Sequence, residues 1–194
     1  MPSKDNTNAP TLAWHERLRI YSRDDAFARE IISAWEHAST LRLALAQEIK
    51  AFVDRASEER GARRREIVAR HKVINGPRSS VDTSCRILIL RDEIGRLELV
   101  WREIWYPDWD GRGTKPEPRY NAVPCKSAAG THLAHVKKGA HPDEKELLVE
   151  HEREARRYRD LWSKTSKVSI ALRHLGEAKL RRLELADAAD GDDT

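Results

Sequence analysis

Tyrosine, histidine and arginine are the residue types in this chain that could do chemistry on a polyanion. Tyr106 and Tyr120 each offer a phenol oxygen, the kind of nucleophile used in DNA strand transfer. An enzyme of that kind would also want clustered histidines holding a metal ion. His132, His135, His141 and His151 are instead spread over a strand, a turn and a helix in the sequence pattern. His132 and His135 are three apart, so on a strand they point to opposite faces. Cys125 is the only credible extra ligand. The simpler reading is surface histidines near a basic sheet edge. The Gly-x-Ser-x-Gly, Gly-Lys-Ser/Thr, His-Glu-x-x-His and paired-Cys motifs do not occur. The sequence therefore predicts a protein that is not an enzyme, with no catalytic residue, no metal and no cofactor. An unrecognised small nuclease, using Tyr106 or Tyr120, is the contrary reading.

The arginines carry a stronger signal. Residues 60 to 72 read Arg60-Gly-Ala-Arg-Arg-Arg-Glu-Ile-Val-Ala-Arg-His-Lys72, almost without acid. Arg91, Arg96, Arg102, Arg112, Arg119, Lys126, Lys137 and Lys138 follow in a strand-rich block. If the helix end and the block fold side by side, they form one positive surface. Such a surface makes the phosphate contacts that supply most non-specific DNA affinity. Aromatics lie among the cations: Trp101, Trp105 and Trp109 fall within nine residues. Trp101 and Trp105 share one strand face and read as core. Trp109 lies beyond Pro107 in a polar loop, where stacking on a base is worth about 1 to 3 kcal/mol. The expected nucleic-acid-binding set is Arg63, Arg64, Arg65, Arg70, Arg102, Arg119, Lys126, Lys137, Lys138 and Trp109. The alternative is a solvated charged face.

The elements that must hold these residues follow from patterning. In 194 residues, 39% are hydrophobic and 35% charged, too polar for one large compact core. Long helices with a narrow apolar seam need fewer apolar residues. The fold class expected is α+β: two long antiparallel helices with a small three- to four-stranded antiparallel sheet inserted between them. Residues 1–10 read as disordered. A single elongated domain then spans 11–186, with helices over 11–72, a sheet insert over 84–138 and helices over 142–185. Residues 187–194 read as an acidic disordered tail.

Within that frame, Ser22 is expected to cap a helix from about 23 to 72, ended by Asn75-Gly-Pro-Arg. The strand Ser84–Arg91 is apolar on both faces and reads as central in the sheet. Gly95 suits the hairpin turn to the strand Leu97–Tyr106. Shorter strands are expected near Arg119–Val123 and His132–Lys137. Pro142 fits the first turn of the last long helix, and Gly176 reads as a break within it. Trp35 and Trp162 sit on apolar helix stripes as packing residues.

The +4 net charge is mild, so its placement matters more than its sum. Cys85 and Cys125 are isolated, which suits a reducing compartment. No segment approaches the about 18 to 20 apolar residues of a membrane span. The expected location is cytoplasmic, with no membrane partner.

The order of features resembles a family. A long N-terminal helix, an aliphatic strand pair ending in Trp101-Arg-Glu-Ile-Trp-Tyr106, the step Val136-Lys-Lys-Gly139 and the run Leu147-Leu-Val-Glu-His-Glu152 resemble MobI-type auxiliary proteins of bacterial conjugative transfer. The resemblance covers about residues 25 to 175. The Cys125 to Gly130 loop falls outside it. It implies a relaxosome accessory protein that binds DNA at the origin of transfer and helps a separate relaxase or other relaxosome protein. It implies no residue roles. A homodimer through the helices is a further partner consistent with the pattern. The competing expectation is a coiled-coil adaptor that binds only protein partners.

Overall fold

The computed structural model describes residues 12–81, 83–93, 96–105, 117–123, 125–127, 130–131 and 133–191. The fold is α+β, with two long helices and a small three-stranded antiparallel sheet between them in the chain. The expected disordered segment 1–10 lies outside the described residues.

Helix α1 (Trp14–Tyr21) opens where Glu16 Oε2 accepts the Ala13 N–H at 2.9 Å. Ser22 closes it, and its hydroxyl donates to the Arg19 carbonyl at 2.7 Å. Helix α2 (Ala26–Asn75) then begins after Asp25, whose Oδ1 accepts the Ala28 N–H at 2.8 Å. The cap is therefore Asp25, correcting the expectation of Ser22, which is already used by the preceding helix. Lys179 Nζ sits 2.5 Å from Asp25 Oδ2. That ammonium, with the cap bond, holds the carboxyl below its ordinary range. Helix α2 passes unbroken through Gly61 and stops at Asn75, as expected. Gly76 adopts a φ of 93°, and Pro77 bars continuation.

The strands are β1 (Arg86–Glu93), β2 (Arg96–Trp105), β3 (Arg119–Ala122), β4 (Cys125–Ser127) and β5 (Gly130–Thr131). The larger sheet has the order β1-β2-β3, so β1 is an edge strand and β2 is central. The expectation that β1 is central fails because two apolar faces report cover above and below, not neighbours on both sides. Register pairs Leu88 with Trp101, Leu90 with Leu99, and Glu93 with Arg96. The turn residues 94 and 95, including Gly95, lie outside the described residues. The segment expected as a strand near His132–Lys137 is one short helix, α3 (Leu133–Lys137), which drives Val136 fully into the core. Two or three apolar residues over so short a run do not separate a period of 2 from one of 3.6.

Helix α4 (Pro142–Gly191) starts at the expected proline, with Asp143 and Glu144 in its first turn. It continues through Gly176 and on to Gly191, correcting both the expected break and the expected tail over 187–191. Residues 192–194 lie outside the described residues.

The chain divides into two compact units, residues 1–43 with 164–194, and residues 44–163. In the first, Leu18, Ala28, Ile31, Ile32 and Leu180 form the core, with Trp14, Tyr21 and Leu183 against it. Trp14 meets Trp35 edge-on at 5.6 Å between ring centroids, so Trp35 is a packing residue. Gly176 is where Trp14 lands: a Cβ there would stand 2.1 Å from Trp14 Cζ3. In the second unit, Leu45, Ile49, Phe52 and Ala56 of α2 meet Leu88, Leu99 and Trp101 of the sheet and Leu148 and Ala155 of α4. Trp101 is 2% exposed and Trp162 packs against the same cluster, as expected. Within this unit α2 and α4 run antiparallel, shown by Arg55 on Glu154 at 2.6 Å and Arg70 on Asp143 at 2.8 Å.

Candidate nucleic-acid interface

All ten residues nominated from sequence fall within 44–163. The stretch of α2 just before the arginine run packs beside the sheet, because Ala56, Ser57 and Arg60 line one small cavity with Ile87, Leu88 and Trp101. Of the arginine run, that places its first member, Arg60, beside the sheet. The cations themselves divide into several groups.

Arg64 and Arg65 are exposed on the last turns of α2 and make no ion pair with any described residue. Arg63 and Arg70 share Glu66, with Arg63 Nη1 at 3.2 Å and Arg70 Nη2 at 3.9 Å. Arg70 is also bound to Asp143. Two of the four helix arginines are thus partly neutralised by carboxylates, which weakens their draw on phosphate.

The sheet arginines lie apart. Arg102 pairs in register with Ile87 and Ala122, on the face opposite Trp101. Arg119 pairs with Trp105 and lies three residues from Ala122, so it faces the other way from Arg102. Lys137 ends α3 and lines a groove of about 280 Å³ with Lys145, Glu146, Val149, Glu150 and Arg153. Lys138 is exposed on the turn after α3, which Gly139 completes at a φ of 72°. The Lys126 side chain and all of Trp109 lie outside the described residues, as do Tyr106 and His132.

Sequence reading passed over a polar cluster beneath this surface. Glu144 is fully buried, and its Oε2 accepts N–H bonds from Ser84 at 2.8 Å and His141 at 3.1 Å. Arg60 lies near Glu144 and Cys85; burial, and then the neighbouring Arg64, lower its pKa. Arg86 is 5% exposed, with its Nη2 3.9 Å from Glu103. Arg60 Nη1, Arg86 Nε and Nη1, and Glu144 Oε1 have no hydrogen-bond partner among the described residues. The Cys85 thiol, 3.4 Å from Glu103 Oε1, is pushed up by burial and by that bond. Arg60 was visible at the head of the arginine run. Nothing local marks Arg86 or Glu144 as buried, since strand arginines and first-turn glutamates are usually solvated.

Among the described residues, those nominated for chemistry do not assemble as a metal-ligand set, while Tyr106, His132 and the Cys125 side chain lie outside the described residues. Tyr120 is exposed on β3, beside Ile104 in register. His151 is buried and meets Glu59 Oε2 at 2.8 Å, while His141 Nδ1 lies 4.0 Å from Asp143. Among the described residues, no three His, Cys, Asp or Glu side chains converge as a metal-ligand set. No described helix is long and apolar enough to cross a membrane.

Compared with known proteins, the chain matches no family model, no curated protein and no solved structure.

Proposed function

We propose that this chain is a DNA-binding accessory factor of conjugative transfer or mobilisation, a cytoplasmic binder rather than an enzyme. On this reading it acts at the origin of transfer beside a separate relaxase. One observation carries the DNA half: Arg60 and Arg64 stand one helical turn apart on α2, and Arg64 and Arg65 are exposed without an ion pair to any described residue. Like charges at i and i+4 destabilise a helix. With Arg65 alongside, a phosphate backbone would relieve that repulsion while releasing condensed counterions. The groove that holds Lys137, Lys145 and Arg153 also holds Glu146 and Glu150, so its pull on phosphate is weaker than that of the exposed helix arginines. The pattern resemblance to MobI-type proteins supplies the biological setting.

The test is binding of duplex DNA at a series of salt concentrations, comparing the wild type with Arg64→Glu/Arg65→Glu. Both side chains are exposed, so folding should hold. Loss of two phosphate contacts lowers the steepness of log affinity against log salt by about 2. Unchanged affinity and unchanged salt slope would remove the proposal.

A further inference from the structure

We propose that the first unit docks an amphipathic helix of a partner protein, apolar on one side and acidic on the other, in the groove between α2 and α4. This goes beyond the DNA reading, which rests on the second unit. The groove measures about 160 Å³ and is lined by Ala38, Leu41, Lys164, Thr165 and Val168. Leu41 is 63% exposed and Val168 is 53% exposed.

Polarity in this stretch is reversed from what a self-contained helix pair would choose. Ser169, next to Val168, is 8% exposed, and its hydroxyl has no hydrogen-bond partner among the described residues. A valine at 169 instead of 168 would have its methyls in the seam. Val168 faces outward, and Leu175 follows it one heptad later at 43% exposure. Ala171 and Ala178 lie beside them at spacings of three and four. Alternating large and small residues form the kind of row into which another helix sets its ridges.

Charge selects the partner. Lys164 and Arg182 mark the two ends of this row, and Lys167, His174 and Arg181 run alongside it at seven-residue spacing. Val168, Ala171, Leu175 and Ala178 fill the row between them without an Asp or Glu, while Glu177, beside His174 and Arg181 on the border, is taken up by Arg173 at 2.7 Å. A second copy of the chain would bring the same cations into contact. A nucleic acid would meet the cations but leave Leu41, Val168 and Leu175 against phosphates. An acidic amphipathic helix answers both features, with leucine-type anchors in the groove and carboxylates on the basic border.

The probe is a synthetic helical peptide about 18 residues long, with leucines at i, i+3, i+4 and i+7 and glutamates elsewhere. Its controls are the same peptide with lysines for glutamates, and a scrambled acidic peptide. Fluorescence anisotropy with the full chain should give binding to the acidic peptide at least about tenfold tighter than to either control. Leu41→Glu and Val168→Glu, both at exposed positions, should each weaken it by a similar factor with unchanged circular dichroism. Equal binding of the scrambled peptide, or equal binding by both variants, would overturn the proposal. So would a sedimenting wild-type dimer that Val168→Glu converts to monomer, which would make a second copy the occupant. Displacement of the peptide by duplex DNA would assign the groove to nucleic acid instead.

Discussion

Glu152 is a fully buried carboxylate at the meeting of α4 and β2. Its Oε2 accepts the Trp101 indole N–H at 2.7 Å and an Arg159 N–H at 2.7 Å, and its Oε1 accepts the Arg156 Nε–H at 2.9 Å. Arg159 continues to the Leu99 carbonyl at 3.1 Å, so one acid ties helix to strand. Removing one member of a buried charge network leaves the others uncompensated. Glu152→Ala should therefore cost about 3 to 5 kcal/mol in urea unfolding, while Glu152→Gln, which still accepts from Trp101, should cost less. Burial of Trp101 was legible from strand alternation alone. Glu152 was not, because a glutamate in a run of charged helix residues reads as solvated, and its indole partner is 51 residues distant in sequence. For the same reason the arginine run was found but its division was not. The pairing of Arg70 with Asp143 depends on where a remote helix begins.

Elements were legible where the local signal was chemical punctuation. Proline at 77 and at 142 set the end of α2 and the start of α4 within a few residues. Glycine 176 misled because helix propensity was weighed without a neighbour. Its role is to leave room for Trp14 of α1, which a methyl group would strike at 2.1 Å. Gly176→Ala should gain up to about 1 kcal/mol of helix propensity yet lower the melting temperature overall. In a Trp14→Ala background the same change should stabilise the protein, since only the propensity gain remains. A thermal melt of the four proteins in that cycle decides whether packing of α1 is the reason for the glycine. The exposed groove on the first unit was missed for a related reason. Heptad spacing identifies which residues could pack, while coordinates identify which of two adjacent stripes is occupied.

The two compact units differ in how much core supports each. Among the described residues, the second unit has eleven buried apolar residues in its cluster, drawn from α2, the sheet and its flank, α3 and α4, against five in the first. Local opening is cheapest where buried apolar contacts are fewest. Backbone amides of α2 from Leu45 to Ala56 should thus exchange with deuterium more slowly than those from Ala28 to Ala38, although both lie on one helix. Equal protection along the helix, measured by exchange and mass spectrometry, would mean that the two cores open together.

The first unit is also discontinuous: its early part ends at residue 43 and its later part begins at residue 164. During synthesis, residues 44–163 leave the ribosome as one uninterrupted stretch and can settle first. Ile31 and Ile32 must meanwhile wait for Leu180 and Leu183 to be translated. The opening turns of α2 therefore spend that interval unsheltered, and they are the part of the nascent chain most in need of a chaperone.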